Sequence, residues 1–129
     1  MMLVTGATGF VGSAVVRRLL ARGEKVRVLV RPSSDRRNIE NLDVEPVEGD
    51  LMNPDSLAPA VEGCDGVFHV AADYRLWTRD AEAMFRANVE GSRTICRAAM
   101  SAGVKRIVYT SSVAVLGILK GGSADEETP

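Results

Sequence analysis

Apolar residues follow two alternating rhythms along this chain. MMLVT is a continuous run of strand length, and FVGSAVVRRLLARG then shifts to helical spacing. There Val11, Val15 and Leu19, with Val16 and Leu20 beside them, fall on one face before Gly23 stops the helix. KVRVLV alternates Val26, Val28 and Val30 as a strand. VEPVEGD is a weaker strand whose Pro46 cannot donate to a ladder, which predicts a sheet edge. NPDSLAPAVEG predicts a helix with Asn53 as N-cap, Pro54 at its first position and Gly63 past its end, short or kinked because Pro59 falls inside it. GVFHVAA is the fourth strand, a long helix follows from about Asp80 to Ala102, and KRIVYTSS is the fifth strand. GILKGGSADEETP, Gly-rich and then acidic, reads as a loop.

Strands separated by helical segments predict parallel pairing through right-handed crossovers. The fold class expected is therefore α/β, a Rossmann-type doubly wound parallel sheet with strand order 3-2-1-4-5, in which the Pro46 strand is outermost. No repeat or linker divides the chain, so residues 1–129 read as one domain.

Composition narrows the classes. With 129 residues, 46% of them hydrophobic, and a net charge of −1, the chain can bury a core and is neither a disordered tail nor a basic nucleic-acid binder. Its apolar runs are far shorter than the ~20 residues of a membrane span. The N-terminus also lacks the basic start and apolar middle of a signal peptide, so a cytoplasmic location is expected. Cys64 and Cys96 have no metal-ligand spacing and read as small buried hydrophobes.

LVTGATGFVG places Gly6, Gly9 and Gly12 where the first strand hands over to the first helix. Such a turn needs a tightly bending backbone, a surface bare enough for a diphosphate, and a helix start close against the sheet. The three glycines can meet those needs. Helix N-terminal amides starting near Phe10 then face the phosphates, so Gly6, Thr8, Gly9, Phe10, Val11 and Gly12 are the expected cofactor contacts. A tight packed turn without ligand uses the same residues. After the second strand, where an acid would accept from a ribose hydroxyl, the chain has Arg31 in VRPSSDRRN. A guanidinium suits a 2′-phosphate, with Ser33, Ser34, Arg36 and Arg37 as further donors, so NADP is favoured over NAD. The other reading is a solvated basic loop.

TGATGFVG, GDL at 49–51, FHVAA at 68–72, NVEGS at 88–92 and VYTSSVAVLG at 108–117 together resemble the extended short-chain dehydrogenase/reductase family of epimerases, dehydratases and dihydroflavonol-reductase-like enzymes. HVAADYRLW with VRPSSDRRN is most similar to the bacterial hopanoid-associated sugar epimerases. The resemblance implies that Asp50 and Leu51 flank the adenine, and that the backbone of Val70, Ala71 and Ala72 passes the nicotinamide ribose. It also implies that Ser112 is the catalytic hydroxyl holding the substrate's reacting oxygen, with Ser111 second choice. The alternative for Ser112 is a hydroxyl satisfying backbone at a strand end.

Asn88 shares a helical stripe with Met84, Gly91, Ile95, Ala98 and Ala102, expected to face the sheet, with Gly91 allowing helix and sheet to approach. A buried amide needs partners. By resemblance Asn88 braces the active site and its water and counts among the cofactor-binding residues; a plain helix-to-loop hydrogen bond explains it equally. His69, the only histidine, has no acid or serine at a telling spacing and reads as a packed imidazole rather than a general base. Tyr74 and Trp77 either line a substrate pocket or cap the core.

The pattern breaks at the proton-transfer pair. The family uses Tyr-x-x-x-Lys, but Tyr74 is followed four residues on by Thr78 and Tyr109 by Val113. In the family that pair comes downstream of DEETP, as do a sixth strand and the substrate-binding region. The expectation is the N-terminal, cofactor-binding part of an NADP(H)-dependent oxidoreductase or sugar-nucleotide epimerase, inactive alone and self-associating through its open fifth strand. Its substrate would be a small molecule such as a nucleotide sugar or hydroxy-ketone, with no metal. A self-contained NADP(H)-binding sensor, or a scaffold that binds nothing, would show the same motifs.

Overall fold

A computed structural model describes residues 1–75, 77–117 and 121–128. Strands β1 (Met2–Thr5), β2 (Val26–Val30), β3 (Glu45–Glu48), β4 (Gly66–His69) and β5 (Arg106–Tyr109) form one parallel sheet in the order β3-β2-β1-β4-β5. This is the doubly wound α/β arrangement the alternation predicts. Pro46 lies in β3, at the edge of the sheet.

Two cores, one on each face of the sheet, explain why the central strand β1 reads as an unbroken apolar run. Leu3, Leu29 and Val67 meet Ala60 and Val61 of α2 (Ala58–Val61) and Ile95 and Ala99 of α3 (Ala81–Ser101) on one face. Val4, Val26, Val28 and Val30 meet Val16 and Leu19 of α1 (Phe10–Leu20) on the other. Leu3, Val67 and Ile95 are wholly buried, each worth about 2 kcal/mol of transfer free energy.

Helix ends follow the sequence closely. α1 closes with Gly23 at φ +76° and Glu24 N donating to Leu19 O at 3.1 Å. α3 begins at Asp80, whose Oδ1 accepts from Ala83 N at 2.8 Å. The segment holding Pro59 is broken, as expected, into a 3₁₀ turn at Pro54–Ser56 and the single turn of α2. The helix restarts so that Pro59 falls in the first turn, where its missing N–H costs nothing.

Three expectations are corrected. Val11 is 51% exposed, because the buried face of α1 is built on Gly12, Ser13, Val16 and Leu19. Asn53 caps nothing with its side chain; its carbonyl accepts from Ser56 instead. The stripe of α3 that packs inward runs through Gly91, Ile95 and Ala99, which leaves Ala102 exposed beyond the last turn.

Of the tail expected as a loop, 121–128 holds no helix or strand, and Ile118, Leu119, Lys120 and Pro129 lie outside the described residues, as does Leu76 of the loop after β4. No described helix is long and apolar enough to cross a membrane.

Candidate functional site

Parallel strands end on the same side, so the segments that follow them line one edge of the sheet in strand order. Asp50 and Leu51 follow β3, Arg31 follows β2, the glycine turn follows β1, Val70–Ala72 follow β4, and Ser111 and Ser112 follow β5. Topology thus brings all the candidate residues except Asn88, which reaches the edge from α3, to one side of the molecule.

At the centre β1 and β4 end together, Thr5 beside His69. Val70 N donates to Thr5 O at 3.3 Å and Ala71 N to Thr5 Oγ1 at 3.2 Å. The chain leaves β1 through Gly6 at φ +69°, and a Cβ there would sit 2.6 Å from Ala71 N. Only glycine meets both the angle and the contact. A Cβ on Gly12 would overlap the Gly6 carbonyl, so this glycine lets α1 start against the turn.

Gly9 is the N-cap of α1, at φ −81° and ψ 175°. Its N–H donates to Gly6 O and its carbonyl accepts from Ser13 N, each at 3.0 Å. No side chain caps the helix and its first turn contains no acid, while Phe10 is 88% exposed. Amides that most helices satisfy with a Ser, Thr or Asp are left to an outside acceptor, with the helix dipole favouring an anion.

The basic segment after β2 divides. Arg36 pairs with Glu48 at 2.9 Å and Arg37 with Asp35, where the guanidinium's hydrogen bond holds the Asp35 carboxyl below its ordinary range. Arg31 is exposed, sits in a turn closed by Ser34 N on Arg31 O at 2.9 Å, and enters no ion pair among the described residues. Sequence reasoning missed Asn38, whose Nδ2 donates to Thr8 O at 2.8 Å while Arg17 Nη2 donates to Asn38 O at 2.8 Å. The first bond ties the basic segment to the glycine turn and the second ties it to α1. No periodicity signals them, because they join segments brought together only by the pairing of β1 with β2.

On the β3 side Asp50 Oδ1 accepts from Met52 N at 2.8 Å and fixes the bend. Leu51 packs on α3, where a Cβ on Gly91 would lie 3.2 Å from Leu51 Cβ. The close approach at Gly91 is therefore to this loop and not to a strand, a correction to the expectation.

On the β4 side Asn88 commits its whole amide to the loop: Oδ1 accepts from Asp73 N at 2.7 Å and Nδ2 donates to Asp73 O at 2.8 Å. This is the helix-to-loop bond, placed one residue beyond Val70–Ala72. His69 is 1% exposed and held by Thr5 Oγ1 at 2.7 Å and Ser92 Oγ at 2.9 Å, and burial lowers its pKa. It is a packed, satisfied ring. Ser112 is exposed at the β5 edge, its Oγ accepting from Ala114 N at 3.2 Å to cap a 3₁₀ turn at Val113–Val115. Ser111 is exposed beside it. Tyr74 and Trp77 are 87% and 73% exposed, too open to cap the core. No metal-binding cluster occurs among the described residues.

A family model described as NAD dependent epimerase/dehydratase family matches residues 2–129. Sterol demethylase protein B of Methylococcus capsulatus is 44% identical over 124 residues, 96% of this chain and 38% of that protein. The crystal structure of gox2253 superposes at a TM-score of 0.95 with 59% identity, covering 100% of this chain and 39% of that one. UDP-glucose 4-epimerase of Thermus thermophilus, in complex with NAD, gives a TM-score of 0.87 at 29% identity over 99% of this chain and 43% of that one. The chain thus spans between a third and a half of the length of these relatives.

Proposed function

We propose, because this chain belongs to the NAD dependent epimerase/dehydratase family, that residues 1–129 are the dinucleotide-binding domain of an NADP(H)-dependent oxidoreductase or epimerase. The observation that carries this is the uncapped start of α1, where Gly9 offers no side chain and no acid occupies the first turn. A diphosphate is the acceptor such a bare helix start fits. The NAD bound by the Thermus epimerase of similar fold supports the dinucleotide part of this reading.

The residues fit the cofactor in parts. Gly6, Thr8, Gly9, Phe10, Val11 and Gly12 form the turn against the diphosphate, and Asp50 and Leu51 stand on the adenine side. Arg31, exposed and outside the ion pairs of Arg36 and Arg37, is the side chain assigned here to a 2′-phosphate. Val70, Ala71 and Ala72, followed by the Asp73 that Asn88 holds, pass the nicotinamide ribose. When bound, the nicotinamide supplies a hydride acceptor or donor. Ser112 Oγ already accepts from Ala114 N, so its O–H remains to donate to the reacting oxygen of a small-molecule substrate, a nucleotide sugar or hydroxy-ketone.

Titrating the protein with NADPH and NADH while following nicotinamide fluorescence tests this. NADPH should bind about tenfold more tightly, and Arg31→Asp should reverse the order by removing a charge-assisted pair. No fluorescence change with either nucleotide overturns the reading. A preference for NADH in the unaltered protein overturns the NADP assignment alone.

A further inference from the structure

Thr5, His69 and Ser92 come from β1, β4 and α3 and meet in a single file of hydrogen bonds, buried at Thr5 and His69 and half-buried at Ser92. Distances alone leave the imidazole tautomer open, but the ends of the file do not. Ser92 Oγ lies 2.5 Å from the Asn88 carbonyl, which can only accept, so the Ser92 hydroxyl donates there. Its remaining contact, His69 Nε2 at 2.9 Å, must then be the donor. Nδ1 of the neutral ring is left as acceptor, and Thr5 Oγ1 at 2.7 Å must donate to it. Thr5 Oγ1 in turn accepts from Ala71 N at 3.2 Å. Every proton is assigned in one direction, from Ala71 N–H through Thr5, His69 and Ser92 to the Asn88 carbonyl.

Both ends of this file concern the same short segment. Ala71 N is held by the file, and Asp73 N and O are held by the side chain of Asn88, one turn before Ser92 on α3. A single turn of α3 therefore grips residues 71–73 at two points, and His69 is the rigid link for one of them.

We infer that His69, as the neutral Nε2–H tautomer, is a positioning residue that transmits the placement of Ser92 on α3 to the Ala71 backbone and so sets the nicotinamide-side segment for dinucleotide binding. The inference rests on the cofactor reading above and assigns no proton transfer to the ring. An imidazolium would turn Nδ1 into a second donor facing the Thr5 hydroxyl and break the direction of the file. Deleting the Ser92 hydroxyl strands the buried Nε2–H, whereas threonine at that position keeps an acceptor.

Two measurements on the protein test it. Imidazole ¹⁵N resonances of the cofactor-free protein at neutral pH should show Nε2 in the pyrrole-like range and Nδ1 in the pyridine-like range. The Nδ1–H tautomer or an imidazolium overturns the assignment. Ser92→Ala should weaken NADPH binding by about tenfold, the scale of one buried donor left unmet. Ser92→Thr should restore binding to within about twofold, since its hydroxyl can still accept. Ser92→Ala is used because His69→Phe leaves the Thr5 hydroxyl proton without an acceptor inside the core and risks unfolding the domain. Unaltered affinity in a folded Ser92→Ala overturns the positioning role while the cofactor reading stands. Absence of nucleotide binding by the unaltered protein removes that reading and this inference together.

Discussion

The side-chain amide of Asn38 donates to the carbonyl of Thr8 across 2.8 Å, joining residues thirty apart in sequence. That bond links the two loops on which the cofactor reading depends, the glycine turn after β1 and the basic segment after β2. Asn38→Ala should therefore weaken NADPH more than NADH, because it loosens Arg31 relative to the turn while leaving the turn's own amides in place. Stability should fall by about 1 kcal/mol, as for one exposed hydrogen bond. Parallel fluorescence titrations with both nucleotides and a urea unfolding curve check the pair of outcomes.

Gly9 and Gly12 separate what the turn needs to fold from what it needs to bind. A Cβ on Gly12 overlaps the Gly6 carbonyl, and backbone cannot swing aside as a side chain can. Gly12→Ala should destabilise the domain by about 3 kcal/mol. At Gly9, φ is −81° and the nearest atom to an added Cβ is Gly6 O at 3.3 Å. Gly9→Ala should fold with a loss below about 1 kcal/mol, yet bind dinucleotide weakly because the methyl stands where a diphosphate approaches. Urea midpoints with nucleotide titration read the two effects separately.

Most of the fold was legible because strands buried on both faces write themselves as unbroken apolar runs, and because Gly23, Pro46, Pro59 and Asp80 mark where elements stop, lie at an edge, break or start. The site was legible only in part. Gly6, Gly9 and Gly12 announce their geometry through what they lack, whereas Asn38 and Ser92 look like ordinary polar residues until the sheet brings their partners to them. Val11 was misplaced for a related reason: helical spacing gives the width of an apolar face but not its centre, which Gly12 sets by packing against Gly6.

Arg27 escaped notice because it interrupts a valine alternation as an outward-facing residue would. Its guanidinium instead bonds the Glu45 carboxylate at 3.0 Å and the carbonyls of Pro59, Ala60 and Glu62, with a side chain only 13% exposed. It serves as the C-terminal cap of α2, whose carbonyls have no helix to donate to them. Arg27→Met should cost about 3 kcal/mol, since those acceptors and a carboxylate lose their donor. Glu45→Gln should cost less than about 1 kcal/mol, because Glu45 is half exposed and the carbonyls keep their partner. Urea denaturation of the two variants distinguishes a cap from a simple ion pair.

β5 ends the described sheet, with Val108 43% and Tyr109 55% exposed. An unpaired edge with apolar side chains is a template for another strand, and only Lys105 and Arg106 at its start oppose docking. The 129-residue chain should therefore self-associate as concentration rises, and Val108→Lys should suppress it. Light scattering over a concentration series decides; a monomer throughout counts against the edge as an interface.

His69 gives stability a predictable dependence on pH. Burial lowers its folded-state pKa, and its ring is enclosed by Thr5 from β1, Ser92 from α3 and the ring of Tyr109 from β5, 5.4 Å away between centroids. Unfolding frees the ring to titrate near the ordinary histidine value of about 6.5. Below that pH the unfolded chain binds a proton that the folded one resists, so stability present above it is lost as pH falls towards the folded value. The slope for one such group cannot exceed about 1.4 kcal/mol per pH unit. Because His69 is the only histidine, no other histidine adds to this window. Urea midpoints between about pH 5.5 and 7.5 should fall on acidification in the unaltered protein and stay nearly flat in His69→Gln, which has no proton to take up. Equal slopes in the two proteins would place the acid sensitivity elsewhere.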